Sequence, residues 1–532
     1  MSKKHVIWVI IYLVLVLGSL LTVGGLTYKV DPFIHFHEPD TAHYFYKLEN
    51  QRSLNYGIIE HFDYSGLITG TSMVENFKAS EAEEAFGCKF IKVCSSGATF
   101  KESNEYLETA LADNDDLRII IRGLDMDMFF DDSERMREDL GEYPTYLYDD
   151  NDFNDVKYLF NGDVFFSYVY PMIKERSKDS FEPGITSFDD YSNWMGGWVF
   201  GKNVLYPDGV TVREATEGAG ITEEEKNIIL ENITQNVTGI AEEYPDTTFY
   251  YFITPYSIQW WQNKRDYGYL NKQIEAEKLI IEEILKHKNI KLYSFNCLSD
   301  ITTDLNNYKD SIHYGEWVNS MMIKYMSEDK CLLTYDNYES YLTEEKDLYY
   351  NYDYAQLNDQ EDYENDRFME VLFNEKINGV EPLRVDFNDT GLVTIQNAEV
   401  VEDQYNGADG LLCTGCIGRP SESDISVSDY LRDTEYIGFK FSVDDIGKYK
   451  NLIFYGKKVA DHGQLTVYIY DNNGNVMAER TETYPNLDNE WHQYLIDVSQ
   501  LEGGATIIFN GGYIDNSGNA DSQYVFSDIT LY

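Results

Sequence analysis

The chain has 532 residues, more than one hydrophobic core accommodates, so two or three domains are expected. Lys and Arg total 42 against 93 Asp and Glu, and the formal net charge of -51 repels nucleic acid and anionic lipid surfaces, which excludes a nucleic-acid partner. Six cysteines are too few and too scattered for a disulfide scaffold, and the single CxxC, Cys413 and Cys416, has no second ligand pair for zinc and reads as a local disulfide or two free thiols.

In chain order, the first element is an apolar run from Val6 to Leu26, long enough to cross a hydrocarbon core of about 30 Å at about 1.5 Å per residue. Lys3, Lys4 and His5 precede it, so the N-terminus is expected in the cytoplasm and the acidic bulk, from about Asp31 onward, outside. The run exceeds a signal-peptide core and Gly24-Gly25-Leu26 is a poor cleavage site, which favours an uncleaved anchor. Asp31-Pro32 and His35-x-His37 read as the point where the chain leaves the membrane and docks on the next domain, in preference to a metal pair.

From Tyr64, short β-rich runs alternate with helical patterns, as βαβ units require. Leu67–Thr69, Phe90–Val93, Leu117–Ile121, Thr248–Ile253 and Ile290–Tyr293 are predicted parallel strands, and Val74–Phe86, Thr222 to about Glu243 (opened by a Thr222/Glu225 capping box) and Gln273–Lys288 are predicted helices. The fold class expected is α/β, a three-layer sandwich with a parallel sheet. The sequons at Asn232 and Asn236 fall inside a predicted helix and read as chance. Residues from about Leu342 to Asn378 begin as a helix and end as an acidic linker, placed at 361–382. Beyond Pro382 many short strands separated by turns such as Asn472-Asn473-Gly474-Asn475 predict an antiparallel β-sandwich or jelly roll over 383–532.

Three places carry chemistry. Ser72 follows the first strand, two residues after Gly70, where a serine either caps a helix or stands exposed at the carboxyl edge of a parallel sheet. Asp310-Ser311-Ile312-His313 follows the last strand, and its spacing lets the carboxylate hold one ring nitrogen of His313 while the other faces a serine. Trp194, Gly196, Gly197, Trp198, Tyr256, Trp260 and Trp261 are candidates to line a sugar groove, against the plainer reading as core.

Gly70-Thr71-Ser72-Met73, Ser96-Gly97 after the second strand, and Asp310-x-x-His313, in that order over roughly residues 60 to 330, resemble the blocks of the SGNH/GDSL hydrolase superfamily. The membrane-anchored subgroup is the most similar: cell-surface polysaccharide O-acetyltransferases and the D-alanyl transfer protein of teichoic acid synthesis. The resemblance implies a flavodoxin-like catalytic domain over 30–360, an anchor over 1–29, and a serine esterase or acyltransferase acting on acyl, chiefly acetyl, groups of a cell-surface polysaccharide. It implies Ser72 as nucleophile, His313 as base, Asp310 as its orienting partner, and the amides of Met73 (or Ser72) and Gly97 as oxyanion donors. It calls for no cofactor and no metal. Its partners would be the polysaccharide or its acyl donor, the membrane, and a multi-pass acyl-donor transporter. Two positions depart from the pattern: Thr71 replaces the usual Asp, and the third block, Arg122-Gly123-Leu124-Asp125, lacks its Asn, so that Asp125 or Arg122 is the candidate substitute. The alternative is a non-catalytic glycan-binding scaffold with a degenerate SGNH domain. The C-terminal sandwich is either carbohydrate-binding, with Tyr484, Trp491, Tyr494 and Tyr513 as candidate contacts, or a spacer.

Overall fold

The computed structural model describes residues 3–360 apart from 150, 152, 179, 196 and 197, and residues 381–532 apart from 406–407, 418–425, 434, 461–463, 484–490 and 515–522. Most of the expected linker, residues 361–380, lies outside the described residues. The chain forms two compact units, Met1–Asp366 and Arg367–Tyr532.

The first unit opens with α1 (Lys3–Val30), whose side chains from Val6 to Leu21 are largely exposed and which is long and apolar enough to cross a membrane. Its last turns are docked. A Cβ on Gly24 would meet the Phe160 ring at 2.8 Å, and Thr27 and Val30 are buried. The helix stops at Asp31, which takes the left-handed conformation (φ 45°) and returns its N–H to the Thr27 carbonyl at 2.7 Å. The buried Asp31 carboxylate accepts from the Phe36 amide (2.7 Å), the His37 amide (3.2 Å) and the Tyr158 hydroxyl (2.8 Å), while burial pushes its pKa up. His37 bonds the Tyr28 carbonyl of the last turn at 2.9 Å, and His35 lies 3.2 Å from Asp155. The two histidines thus face different partners at this joint.

Next comes α2 (Gln51–His61), followed by β1 (Gly66–Gly70), α3 (Ala79–Phe86), β2 (Phe90–Cys94), α4 (Phe100–Asp113) and β3 (Ile119–Leu124). After a long excursion, α5 (Glu223–Ile233), β4 (Thr248–Ile253), α6 (Leu270–Ile284), β5 (Ile290–Ser294), α7 (Glu316–Ser327), β6 (Leu332–Leu333) and α8 (Tyr338–Asn351) complete the unit. Strand order is β2-β1-β3-β4-β5-β6, with the first five parallel and β6 antiparallel to β5. β1 and β2 are buried throughout, so neither shows the in-out alternation of a half-exposed strand, and the buried Lys92 of β2 and Thr69 of β1 are exceptions in otherwise small or apolar runs. The order reverses between β1 and β3, and in such a sheet the crevice for a ligand opens at the carboxyl ends of the strands beside that reversal. Ser72 follows β1 there, and Asp125 follows β3.

One helix differs from expectation. Val74–Phe86 is helical only from Ala79, because the carbonyls of the preceding turn are taken by side chains from elsewhere. Lys92 Nζ donates to the carbonyls of Glu75 (2.5 Å) and Phe77 (2.8 Å), and Asn319 and Tyr314 both donate to the Met73 carbonyl at 3.1 Å. The Thr222/Glu225 capping box does open α5, and the helix continues through a π-turn at Thr234–Thr238 to Glu243. Asn232 and Asn236 are buried on it and donate to the Met128 and Ser133 carbonyls, which removes them as glycan acceptors.

Among the described residues the second unit has a two-stranded parallel pair, Cys416–Ile417 with Tyr513–Ile514, and two large antiparallel sheets. One is ordered Val393–Gln396, Gly438–Val443, Ala505–Asn510, Gln464–Asp471, Val476–Thr483, and the other Ala398–Tyr405, Ala408–Thr414, Gln523–Leu531, Asn451–Lys458, His492–Asp497. Phe439, Phe454, Phe509 and Phe526 interlock as the aromatic centre of the core. Asp471 closes the 472–475 turn by accepting from the amides of Asn473 and Asn475, both at 2.8 Å. Cys413 and Cys416 are separate thiols.

Candidate active site

β1 delivers the chain to Gly70 (φ +143°), a conformation that only glycine takes without strain, and turns it sharply into Thr71-Ser72. Ser72 is half-buried, and its Oγ lies 2.8 Å from His313 Nε2. His313 arrives from the opposite side of the crevice on a tight loop closed by Tyr308 pairing with Tyr314 and by the Lys309 amide donating to the His313 carbonyl at 3.0 Å. Its Nδ1 is 2.8 Å from Asp310 Oδ2, and Asp310 Oδ1 accepts from the amides of Ile312 (3.0 Å) and His313 (2.8 Å). Burial pushes Asp310 up, but the bonds from His313 and the two amides outweigh it and leave the carboxyl below its ordinary value. A carboxylate on Nδ1 fixes the tautomer that leaves Nε2 a lone pair for the serine proton.

Trp194 packs edge-on against His313 with centroids 5.7 Å apart and donates its indole N–H to the Ser72 carbonyl at 3.1 Å. Lys309 Nζ stands 3.6 Å from the Trp194 ring centroid and 3.9 Å from that of Trp198, which is exposed. Trp194 and Trp198 thus wall the site, whereas Tyr256, Trp260 and Trp261 are buried and do not line a groove; Gly196 and Gly197 lie outside the described residues. In the second unit Tyr494 is likewise buried, stacked on Phe454, so of the sandwich aromatics Trp491, next to Tyr405, is the one with a described, partly exposed ring. Tyr484 and the side chain of Tyr513 are outside the described residues.

The oxyanion candidates divide. The Met73 amide donates to Thr71 Oγ1 at 3.3 Å and is therefore committed within the turn. Among the described residues neither the Ser72 nor the Gly97 amide has a hydrogen-bond acceptor. Gly97 adopts φ +63° in the loop after β2, where its carbonyl takes Arg137 Nη1 at 2.8 Å. That loop is tied to the serine turn by Gln51, which accepts from the Ser96 amide (2.8 Å) and donates to Glu75 (2.5 Å). Sequence reasoning passed over Gln51 and Glu75, since neither stands in a recognisable motif.

The third-block substitutes also separate. Arg122 is fully buried, donates to the Asn236 carbonyl at 2.9 Å and lies over Phe100 and Tyr251, so it serves the core and not the serine. Asp125 lies beneath the Ser72 turn: Oδ2 accepts from Thr71 Oγ1 at 2.7 Å, and Oδ1 from the Tyr256 hydroxyl at 2.9 Å. Burial raises its pKa against the pull of those two donors and of His313. A carboxylate accepting two hydrogen bonds offers no N–H to an oxyanion, so its part is to hold the turn through Thr71, which in turn fixes the Met73 amide.

No family model matches the sequence, and no curated protein matches it. Among solved structures, 28% of the chain is similar to 33% of a family two carbohydrate esterase from Cellvibrio japonicus, at 10% identity and a TM-score of 0.17. A further 28% match, at 14% identity and TM-score 0.17, covers 85% of a family 11 carbohydrate-binding module of a Clostridium thermocellum cellulase. A chain from Streptococcus pneumonia, provisionally described as a platelet activating factor, matches 56% of this chain over 92% of its own length, at 12% identity and TM-score 0.28. The chain spans about a third of the esterase's length. Likenesses at these TM-scores carry no argument, and the site is read from its own geometry.

Proposed function

We propose that this chain is a membrane-anchored serine esterase or O-acyltransferase of the SGNH/GDSL type that works on acyl groups of cell-surface glycans. The observation that carries the reading is the unbroken chain of hydrogen bonds Ser72 Oγ to His313 Nε2 and His313 Nδ1 to Asp310, built at the carboxyl ends of a parallel sheet beside its order reversal. His313 Nε2 takes the serine proton as Oγ attacks the acyl carbonyl; the tetrahedral oxyanion meets the amides of Ser72 and Gly97, and imidazolium returns the proton to the leaving oxygen. The acyl-serine is then opened by water or by a glycan hydroxyl, whose proton goes to the same nitrogen. Trp194 packs beside His313 and shares Lys309 with Trp198, whose exposed ring is available to a sugar acceptor.

The test is chemical. The full-length protein in detergent, treated with a serine-directed fluorophosphonate, is expected to gain one adduct on the peptide that holds Ser72, and pretreatment with an acetyl ester should slow it. An adduct on another serine reassigns the nucleophile, and no adduct at all favours a binding protein.

The turn makes a second prediction. Thr71→Val deletes the bond to Asp125 and frees the Met73 amide, so kcat on an activated acetyl ester is expected to fall about 10- to 100-fold with little change in KM, because a displaced nucleophile costs rate without costing ground-state binding. Thr71→Ser keeps the hydroxyl and should recover most of it. Equal losses in the two variants would assign the effect to the lost methyl group and its packing.

A further inference from the structure

The segment that receives the end of α1 carries an unusual surface. Within 153–170, Phe153 is 88% exposed, Phe166 71%, Tyr170 53%, Val156 51% and Phe160 44%. Exposed large apolar groups in such number mark a surface that meets something other than water. Val156 sits on a short helix, Val156–Leu159, with Phe160 at its C-terminal end; Phe166 and Tyr170 sit on a helical run from Gly162 to Glu175, and Phe153 lies in the turn before them. Their inner faces are fixed: Tyr158 and Val169 are fully buried, Tyr168 packs edge-on to Phe33 at 4.9 Å, and the Tyr158 hydroxyl holds Asp31.

The level of the patch along α1 is set by Phe160, whose ring closes on Gly24. Counting from Val6, a hydrocarbon core of about 30 Å takes about 20 residues of helix and ends within a turn of Gly24. Phe160 is therefore at the height where acyl chains give way to headgroups. Within 153–170 the charged side chains are one base, Lys157, and two acids, Asp163 and Asp155, the latter buried against His35.

We propose that residues 153–170 form an interfacial foot that inserts its exposed aromatic side chains into the outer leaflet beside α1, so that the first unit is seated on the bilayer and not merely tethered to it. The inference rests on the reading of α1 as a membrane span. The site's crevice is then held at a fixed orientation to the surface whose polymers it would modify.

The experiment uses full-length protein in phosphatidylcholine vesicles, with benzoylphenylalanine placed singly at Phe166 or Phe153, at Leu13 within α1, and at Tyr267, an exposed ring that packs under Arg213. Irradiation is expected to give lipid adducts at 166 and 153 within about 3-fold of position 13, and at least about 10-fold above position 267. Adducts at 13 without adducts at 166 and 153 would overturn the foot while leaving the anchor intact. Cross-links from 166 and 153 to a second protein chain in place of lipid would overturn it equally, assigning the patch to a protein partner. Absence of lipid adducts at 13 would overturn the anchor and the foot together.

Discussion

Ser72→Ala and His313→Ala are each expected to lower turnover of an activated acetyl ester by about 10⁴-fold or more, and the double variant by no more than either alone, since the two side chains act as one unit. Both lie at a half-buried surface in the crevice, not in the core, so thermal unfolding should be unchanged. Asp310→Asn is a sharper probe. The amide oxygen still accepts from the Ile312 and His313 amides, but its N–H₂ opposes Nδ1–H and favours the tautomer that puts a proton on Nε2, where it blocks the serine. The Asp310 side chain is 45% exposed, so water partly restores the lost contact, and a loss of about 10²- to 10³-fold is expected. Full activity in Ser72→Ala would sink the serine mechanism outright, whereas full activity in Asp310→Asn alone would mean that another group orients the imidazole.

The meeting of Ser72 with the Asp310–His313 pair was legible because it rests on short-range signals. A glycine two residues before a serine at a strand end, and Asp and His three apart in a loop, each constrain geometry within one turn of chain, and the two halves meet across 241 residues only because the parallel sheet brings the ends of β1 and β5 to one edge. What was not legible came from long-range packing. Nothing local distinguishes Arg122 from Asp125 as a neighbour of Ser72; Arg122 leaves β3 toward Asn236 and two rings, whereas Asp125, just past the strand's end, meets Thr71 and Tyr256. Val74–Lys78 has helical spacing, yet loses its ladder to Lys92, Tyr314 and Asn319, residues distant in sequence. In the sandwich, Ala398–Tyr405 and Val476–Thr483 are sheet edges, and edge strands carry the charges that discourage aggregation and so lose the apolar alternation by which interior strands are recognised.

Glu277→Gln is expected to stabilise the protein at pH 8 while leaving it close to wild type at pH 5. Glu277 on α6 and Glu345 on α8 are fully buried against one another, each with an Oε2 that finds no other partner, and two carboxylates in contact cannot both ionise, so one proton lies between them. Glu345 accepts from Asn296 (2.8 Å) and the Tyr341 hydroxyl (3.1 Å), whereas Glu277 accepts from Gln273 alone among the described residues, at 2.8 Å. The better hydrogen-bonded Glu345 is the anion, and Glu277 keeps the proton. Burial first, and then the charge of Glu345, push the Glu277 pKa well above its ordinary value. In the unfolded chain the same carboxyl ionises near about 4.3. Below that pH both states are protonated and the pair's stability is fully present; above it the native state holds a proton that the unfolded state has released, and stability falls by about 1.4 kcal/mol per pH unit per retained proton until the folded pKa is passed. A glutamine at 277 donates to Glu345 as the protonated acid does, without titrating, so its advantage over wild type should widen steadily from pH 5 to pH 8. Glu277→Leu is the control: it strands an ionised Glu345 without its donor and should cost about 3 kcal/mol or more. Denaturant unfolding followed by tryptophan emission reads the correct unit, because every tryptophan except Trp491 lies before residue 366 and Trp261 stacks on Tyr349 of α8 at 4.1 Å. Parallel stability-versus-pH curves for wild type and Glu277→Gln would show that the pair does not share a proton.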